Sequence, residues 1–197
     1  MEFILASKSP RRSELLKAAG YKFKVLTLEI SESFNENLNL DEQIIDVART
    51  KGEVVANTLK SPESKEYLIL SADTVVILDG QIFGKPQNFL QAKQILLSLR
   101  NKTHSVKTGI CFIHLPSFQI YTSLDTSRVS FKNFSDLELQ EYLQTNEWTD
   151  KAGAYGIQGA AEKLVEHREG SLSNVIGLPL ELVQSIMVKH GWDQRCR

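Results

Sequence analysis

The chain is poor in the features that mark most specialised protein classes. Its 197 residues include only two cysteines. Cys111 lies in an apolar run and Cys196 is next to the last residue, with no C-x-x-C pair and no His/Cys spacing of a zinc site. A disulfide framework is therefore excluded, and a reducing, cytoplasmic compartment is expected. No apolar run approaches the roughly 18 residues of a membrane-spanning helix. The segment Met1-Glu2-Phe3-Ile4-Leu5 lacks the basic and long apolar regions of a signal peptide. Net charge is −1, from 23 Lys and Arg against 24 Asp and Glu. Without a basic excess or a dense Lys/Arg block, neither a nucleic acid nor a membrane is expected as a partner. An anionic small molecule would have to be met by a few placed cations. G-x-S-x-G, H-E-x-x-H and G-x-G-x-x-G are absent, as are low-complexity segments and internal repeats.

What is present is an ordinary globular composition, 42% hydrophobic and 24% charged. The length suits a single domain over residues 1–197, large enough to bury about 70% of its unfolded surface. Short apolar β-rich runs alternate with amphipathic stretches, the pattern of an α/β fold. Strands are expected at 3–6, 23–28, 67–78, 106–114, 119–131 and 164–167. Helices are expected at 10–19, 40–59, 88–99, 135–144 and 179–190. Asp79-Gly80 is a two-residue hairpin signal. Pro116-Ser117 marks a turn in a long ribbon, and Ser135 is an N-cap candidate. A break at 101–103 is a candidate boundary between two lobes.

Four constellations carry chemistry. Ser7-Lys8-Ser9-Pro10-Arg11-Arg12 joins a strand to a helix, with Ser9 as candidate cap and Pro10 at the first helical position. Two arginines there oppose the helix dipole, at about 0.3–1 kcal/mol each, unless an anion arrives at the free amides. The alternative is a plain helix start with solvated arginines. Asp73, in Ser71-Ala72-Asp73-Thr74-Val75-Val76, sits inside an apolar strand. It must be bonded, paired or metal-bound, because burying a lone carboxylate is costly. It is either a structural acid or a base and metal ligand. Gly84-Lys85-Pro86 holds Lys85 on a stiff turn, a point charge for a phosphate or simply a surface turn. Asp150 to Gly159 packs three glycines around Tyr155 and Gln158. Its backbone needs special conformations, and the Gln158 amide can read a base edge; a flexible connector is the other reading. Glu29 and Glu32 follow the second strand, and Lys51 lies on the long helix, where solvated roles are the default. His104 and His114 have no partners at catalytic spacing and read as structural.

Taken in order, these segments resemble the Maf proteins. The resemblance rests on Ser7-x-Ser9-Pro10-Arg11-Arg12-x-Glu14-Leu15-Leu16, the Ser71 to Val76 strand, Gly84-Lys85-Pro86 and His104-Ser105-Val106-x-Thr108-Gly109. Asp150 to Gly159 and Asn174-Val175-x-Gly177-Leu178-Pro179 complete it, so that it spans nearly the whole chain. It implies a mixed twisted sheet with flanking helices, in two lobes around a central cleft, similar to inosine triphosphate pyrophosphatases. It also implies a divalent metal, Mg²⁺ or Mn²⁺, and release of pyrophosphate from a nucleoside triphosphate. By the same resemblance Asp73 is the catalytic base, and Glu32 and Asp73 are the metal-associated acids. Ser7, Arg12, Lys51 and Lys85 bind phosphate.

The D-K-A-G-x-Y-G-I-Q-G form resembles the branch acting on dTTP and UTP, with Arg11, Thr74 and Gln158 at specificity positions. The branch acting on 7-methyl-GTP differs in that segment and carries an aromatic residue where Arg11 stands. Ser31 departs from the acidic residue often found there. Roles in removing non-canonical nucleotides or in cell-division arrest follow only from the resemblance. A pyrophosphatase for modified nucleotides and a nucleotide-binding regulator with little hydrolysis are the rival readings. An isologous homodimer is the base-rate form of any oligomer.

Overall fold

In the computed structural model, residues 1–29, 35, 37–59, 65–193 and 195 are described. The first elements are β1 (Glu2–Leu5), α1 (Pro10–Ala18), β2 (Lys24–Val25), α2 (Leu40–Thr58), β3 (Tyr67–Leu78) and β4 (Gln81–Phe83). There follow α3 (Phe89–Leu99), β5 (Thr103–Leu115), β6 (Gln119–Phe131), α4 (Asp136–Gln144), β7 (Val165–Glu169), α5 (Leu172–Ile176) and α6 (Leu180–Lys189). Hydrogen-bonded strands run in the order β2-β1-β3-β5-β6-β7, with β4 on β3. β2, β1 and β3 are parallel, while the β3–β4 and β6–β7 pairs are antiparallel. The sheet is therefore mixed, as expected. Among the described residues no helix is long and apolar enough to cross a membrane.

The chain divides into two compact units. One comprises Met1–Asp73, Thr108–Asp125 and Gly177–Arg197, and the other Thr74–Lys107 and Thr126–Ile176. The boundaries fall inside β3, β5 and β6 and at the end of α5, not at 101–103, which lies within the second unit.

In the first unit β1, β3 and β5 are largely buried on both faces, and period-two alternation sorts their side chains. Phe3, Leu5, Leu68, Leu70, Ala72, Ile110 and Phe112 pack with Leu16 of α1 and Val183 and Met187 of α6. Their neighbours Ile4, Ile69, Cys111 and Ile113 pack with Ala48, Val55 and Ala56 of α2. Ala48, Val55 and Ala56 thus form the face of α2 that meets the sheet. A capping box starts α2: Asn39 Oδ1 accepts from Glu42 N–H at 3.0 Å, and Glu42 Oε2 accepts from Asn39 N–H at 3.1 Å. Gly52 brings this helix close, since a Cβ there would lie 2.8 Å from Ser71 Oγ and 3.1 Å from Ile113 Cδ1. Ser71 Oγ in turn donates to the Ala48 carbonyl at 2.6 Å.

In the second unit Ala92, Ile95, Leu96 and Leu99 form the inner face of α3, as their spacing predicts. They pack with Val76, Leu78, Val129 and Phe131 of the strands and Leu139, Tyr142 and Leu143 of α4. Asp79 and Gly80 both adopt positive φ, the conformation of the expected hairpin. Ser135 caps α4, accepting from Glu138 N–H at 3.2 Å. His104 is 2% exposed and shares a 2.7 Å hydrogen bond with the Tyr155 hydroxyl. Both rings meet Phe131 edge-on, with centroids 5.0 and 4.7 Å away.

Some expectations are revised. The strand expected at 23–28 is only Lys24–Val25, an edge pair in register with Ile4 and Leu5. The strand expected at 164–167 becomes Val165–Glu169, and the stretch between it and the last helix, for which the sequence predicts no element, contains α5. Ser9 occupies the N-cap position of α1 but makes no side-chain cap bond.

Two outcomes follow from this packing. Gly52→Ala wedges α2 off β3 and lowers stability by about 1–3 kcal/mol in urea denaturation. Burial pushes the His104 pKa down to about 4, below its unfolded value near 6.5. Its neutral form is therefore the native one, and its contribution to stability is complete above pH ~6.5 and falls as pH drops towards 4. The loss amounts to roughly 2 kcal/mol by pH 5. Denaturant midpoints between pH 7.5 and 5 should show this slope, and His104→Gln should flatten it.

Candidate functional site

β1 ends in a loop whose polar groups converge. Ser7 Oγ accepts from Ser9 N–H at 3.3 Å and from Arg12 Nη1 at 3.1 Å. A hydroxyl that accepts two hydrogen bonds keeps its own proton to donate, which suits an anion. Pro10 opens α1, and no acidic residue lies in its first turn. The dipole there favours negative charge. Ser9 serves this turn through its backbone amide rather than through its side chain.

Arg12 ties three stretches of the first unit together. Its Nε donates to the Gly177 carbonyl at 2.8 Å, and its Nη1 donates to the Ala72 carbonyl at 2.9 Å as well as to Ser7. These neutral acceptors fix the orientation of the guanidinium. The role of Gly177 was not legible in the sequence; the segment Asn174 to Pro179 carried no local demand for chemistry. Arg11, half-buried, lies in the same turn.

The alternation of β3 decides where Asp73 points. Ser71 and Asp73 share the face that packs on α2, and Lys51 lies three residues after Ala48 on that helix, one turn along. Lys51 Nζ donates to Asp73 Oδ1 at 2.7 Å, with the two side chains 14% and 10% exposed. A carboxylate nearly removed from water is thus charge-paired, which answers the cost raised by its apolar strand. Ser7, Arg12, Lys51 and Asp73 all belong to the first unit.

The remaining candidates belong to the second unit. Thr74 is its first residue and half-buried. Lys85 is exposed in the turn after β4. The Gly84 carbonyl of that turn accepts from Gly153 N–H at 3.1 Å. The turn is thereby joined to the segment carrying Gln158, which is exposed. Glu32 lies outside the described residues. Glu29 is exposed and meets Lys8 at 3.5 Å, a surface pair of little worth.

Among the described residues no group of three or more His, Cys, Asp and Glu side chains is placed to hold a metal ion. Asp73 nevertheless fits a hard divalent cation. Mg²⁺ commonly uses one or two carboxylates and completes its octahedron with waters and the oxygens of a bound phosphate. Asp73 presents one carboxylate, of which Oδ1 is engaged by Lys51.

A family model described as "Maf-like protein" matches residues 2–190. A protein of Bdellovibrio bacteriovorus named "dTTP/UTP pyrophosphatase" is 41% identical over 186 residues, covering 94% of this chain and 97% of its own. One of Caldicellulosiruptor bescii with the same name is 42% identical over 190 residues, covering 96% and 95%. In three dimensions the chain is similar to the Staphylococcus aureus Ham1 protein. The TM-score is 0.51 at 14% identity, over 96% of this chain and 100% of that one, a likeness of fold alone. With the family model covering nearly its whole length and relatives above 40% identity, the chain belongs to the Maf family.

Proposed function

We propose that this chain hydrolyses dTTP and UTP to the monophosphate and pyrophosphate. The observation that carries the reading is the nearly buried Lys51–Asp73 pair, in a unit where Ser7, Arg12 and the start of α1 are built to meet an anion. Full-length relatives named dTTP/UTP pyrophosphatase give the substrate class.

Asp73 is the general base. It takes a proton from the attacking water as the water oxygen bonds to phosphorus. The P–O bond bridging the α and β phosphorus atoms breaks with its electrons going to the leaving group, pyrophosphate for attack at α or the monophosphate for attack at β. Lys51 holds the carboxylate in place, and as Asp73 becomes protonated and neutral the Lys51 charge is released to act on the phosphate oxygens. Arg12, Ser7 and Lys85 bind the phosphate oxygens, and in phosphoryl transfer most of the barrier lowering comes from fixed charges and donors of this kind. A divalent cation on Asp73 and Glu32, Mg²⁺ or Mn²⁺, would supply Lewis-acid neutralisation of the polyphosphate.

Gln158, Thr74 and Arg11 read the nucleoside. The Watson–Crick edge of uracil and thymine offers a carbonyl acceptor beside an N–H donor, which an amide pairs with both of its groups. Cytosine reverses both, so an amide held one way round rejects it.

Asp73→Asn should remain folded yet lose about 10²–10⁴ in turnover, the range of general-base catalysis. Pyrophosphate release gives the measure, and near-normal activity would remove Asp73 from the role of base. A panel of natural and modified triphosphates with Mg²⁺ or Mn²⁺ should show dTTP and UTP preferred and turnover abolished by chelation. Tight binding without pyrophosphate release would point instead to a nucleotide-binding regulator.

A further inference from the structure

We infer that His104 and Tyr155 are positioning residues. Their buried hydrogen bond fixes the 150–159 segment and thereby sets the orientation of the Gln158 amide, on which discrimination between uracil and cytosine depends. The inference rests on the reading of Gln158 given above.

An amide side chain has nearly the same shape in either orientation. Rotated by half a turn, it offers donor where it offered acceptor, and cytosine then pairs as well as uracil. Gln158 is exposed, so its own packing does not hold it. Selectivity must come from the backbone that carries it.

That backbone is held in an uncommon shape. Asp150, Gly153 and Ala154 all adopt left-handed φ, of 60°, 70° and 60°. For Ala154, which carries a Cβ, such a conformation costs on the order of a kilocalorie and persists only where its surroundings over-determine it. Gly153 has no room for a side chain, since a Cβ would lie 2.7 Å from Val76 Cγ2. Its amide donates to the Gly84 carbonyl, and Ala154 N–H donates to the Lys151 carbonyl. The Tyr142 hydroxyl donates to the Ala154 carbonyl at 3.2 Å. Tyr155, the next residue, sends its ring into the core to meet His104 Nε2 at 2.7 Å. On the far side of Gln158, the Ala160 amide donates to Glu147 Oε2 at 3.0 Å. Gln158 therefore hangs on a short tether between a buried peg at Tyr155 and a fixed amide at Ala160.

Neither His104 nor Tyr155 is exposed enough to touch a nucleotide. His104 is neutral at assay pH, its pKa pushed down to about 4 by burial. The Nδ1 atom has no hydrogen-bond partner, so the ring's one polar bond is the one to Tyr155. Such an investment in one long-range bond, 51 residues apart in sequence, is out of proportion to an exposed loop with nothing to hold.

The test compares Tyr155→Phe, His104→Gln, His104→Leu and Gln158→Ala with the unaltered protein, on UTP, dTTP and CTP. Pyrophosphate release is followed with Mg²⁺, and amide hydrogen exchange across residues 156–159 is measured in parallel. Tyr155→Phe should reduce the preference for UTP over CTP by about tenfold, the scale of one buried hydrogen bond. The loss should appear mainly in KM for UTP, with kcat within about twofold. Exchange at 156–158 should quicken while thermal unfolding remains cooperative. His104→Gln, whose amide N–H can still reach the Tyr155 oxygen, should retain more of the preference than His104→Leu. If Gln158→Ala abolishes the preference but a folded Tyr155→Phe protein keeps it, or exchange is unchanged, the positioning role is overturned. If Gln158→Ala itself leaves the preference intact, the base-reading assignment fails and this inference falls with it.

Discussion

The separation between α2 and the sheet governs the chemistry of the first unit. Lys51 on α2 meets Asp73 on β3 across an interface where the two backbones lie close. Gly52 supplies that closeness by having no side chain where Ser71 and Ile113 stand. The Ser71 hydroxyl reinforces it by bonding the Ala48 carbonyl of the same helix. Lys51 follows Ala48 by one turn, and Asp73 follows Ser71 by one strand repeat, so the ion pair is the next step of a contact already made. Had the helix been farther off, Asp73 would have been a lone acid in an apolar strand, with a large desolvation cost and no cation to offset it.

The first unit handles its two central cations differently. Lys51 is matched by a carboxylate, whereas Arg12 is fixed by two carbonyls and a hydroxyl. The first arrangement stores a base in a charge-balanced form, and the second fixes the orientation of a cation. A molecule with a net charge of −1 thus places individual cations at defined points without a basic surface. Geometry, rather than an excess of lysine and arginine, sets their positions.

Much of this is legible in the sequence because it depends on periodicity. The runs at 67–78 and 119–131 are strands with those bounds, since unbroken β-branched and alternating patterns admit few other conformations. Asp79-Gly80 and the Ser135 cap rest on local chemistry, and both form as that chemistry predicts. Asp73 is conspicuous as an acid in an apolar run, but its pairing with Lys51 is not, because the link crosses from helix to strand, 22 residues apart. The same reason hides the anchoring of Arg12 on Gly177, 165 residues away. The structural reading of His104 agrees with its burial; its bond to Tyr155 has no local signature. Edge strands fare worst. Lys24–Val25 gains hydrogen bonds from one neighbour only, and side-chain pattern says little about where such pairing stops.

Three strands, β3, β5 and β6, begin in one compact unit and end in the other, so each unit is assembled from separated stretches of chain. No single cleavage of the polypeptide releases either unit intact. Neither unit is therefore available to be borrowed or exchanged as a contiguous gene segment. Folding must bring distant residues together before either core can close, which selects for slow, all-or-none assembly over stepwise growth from one end. Synthesis on the ribosome leaves the first unit incomplete until its last stretch, from Gly177 onward, has emerged. The acceptor that anchors Arg12 is the opening residue of that stretch.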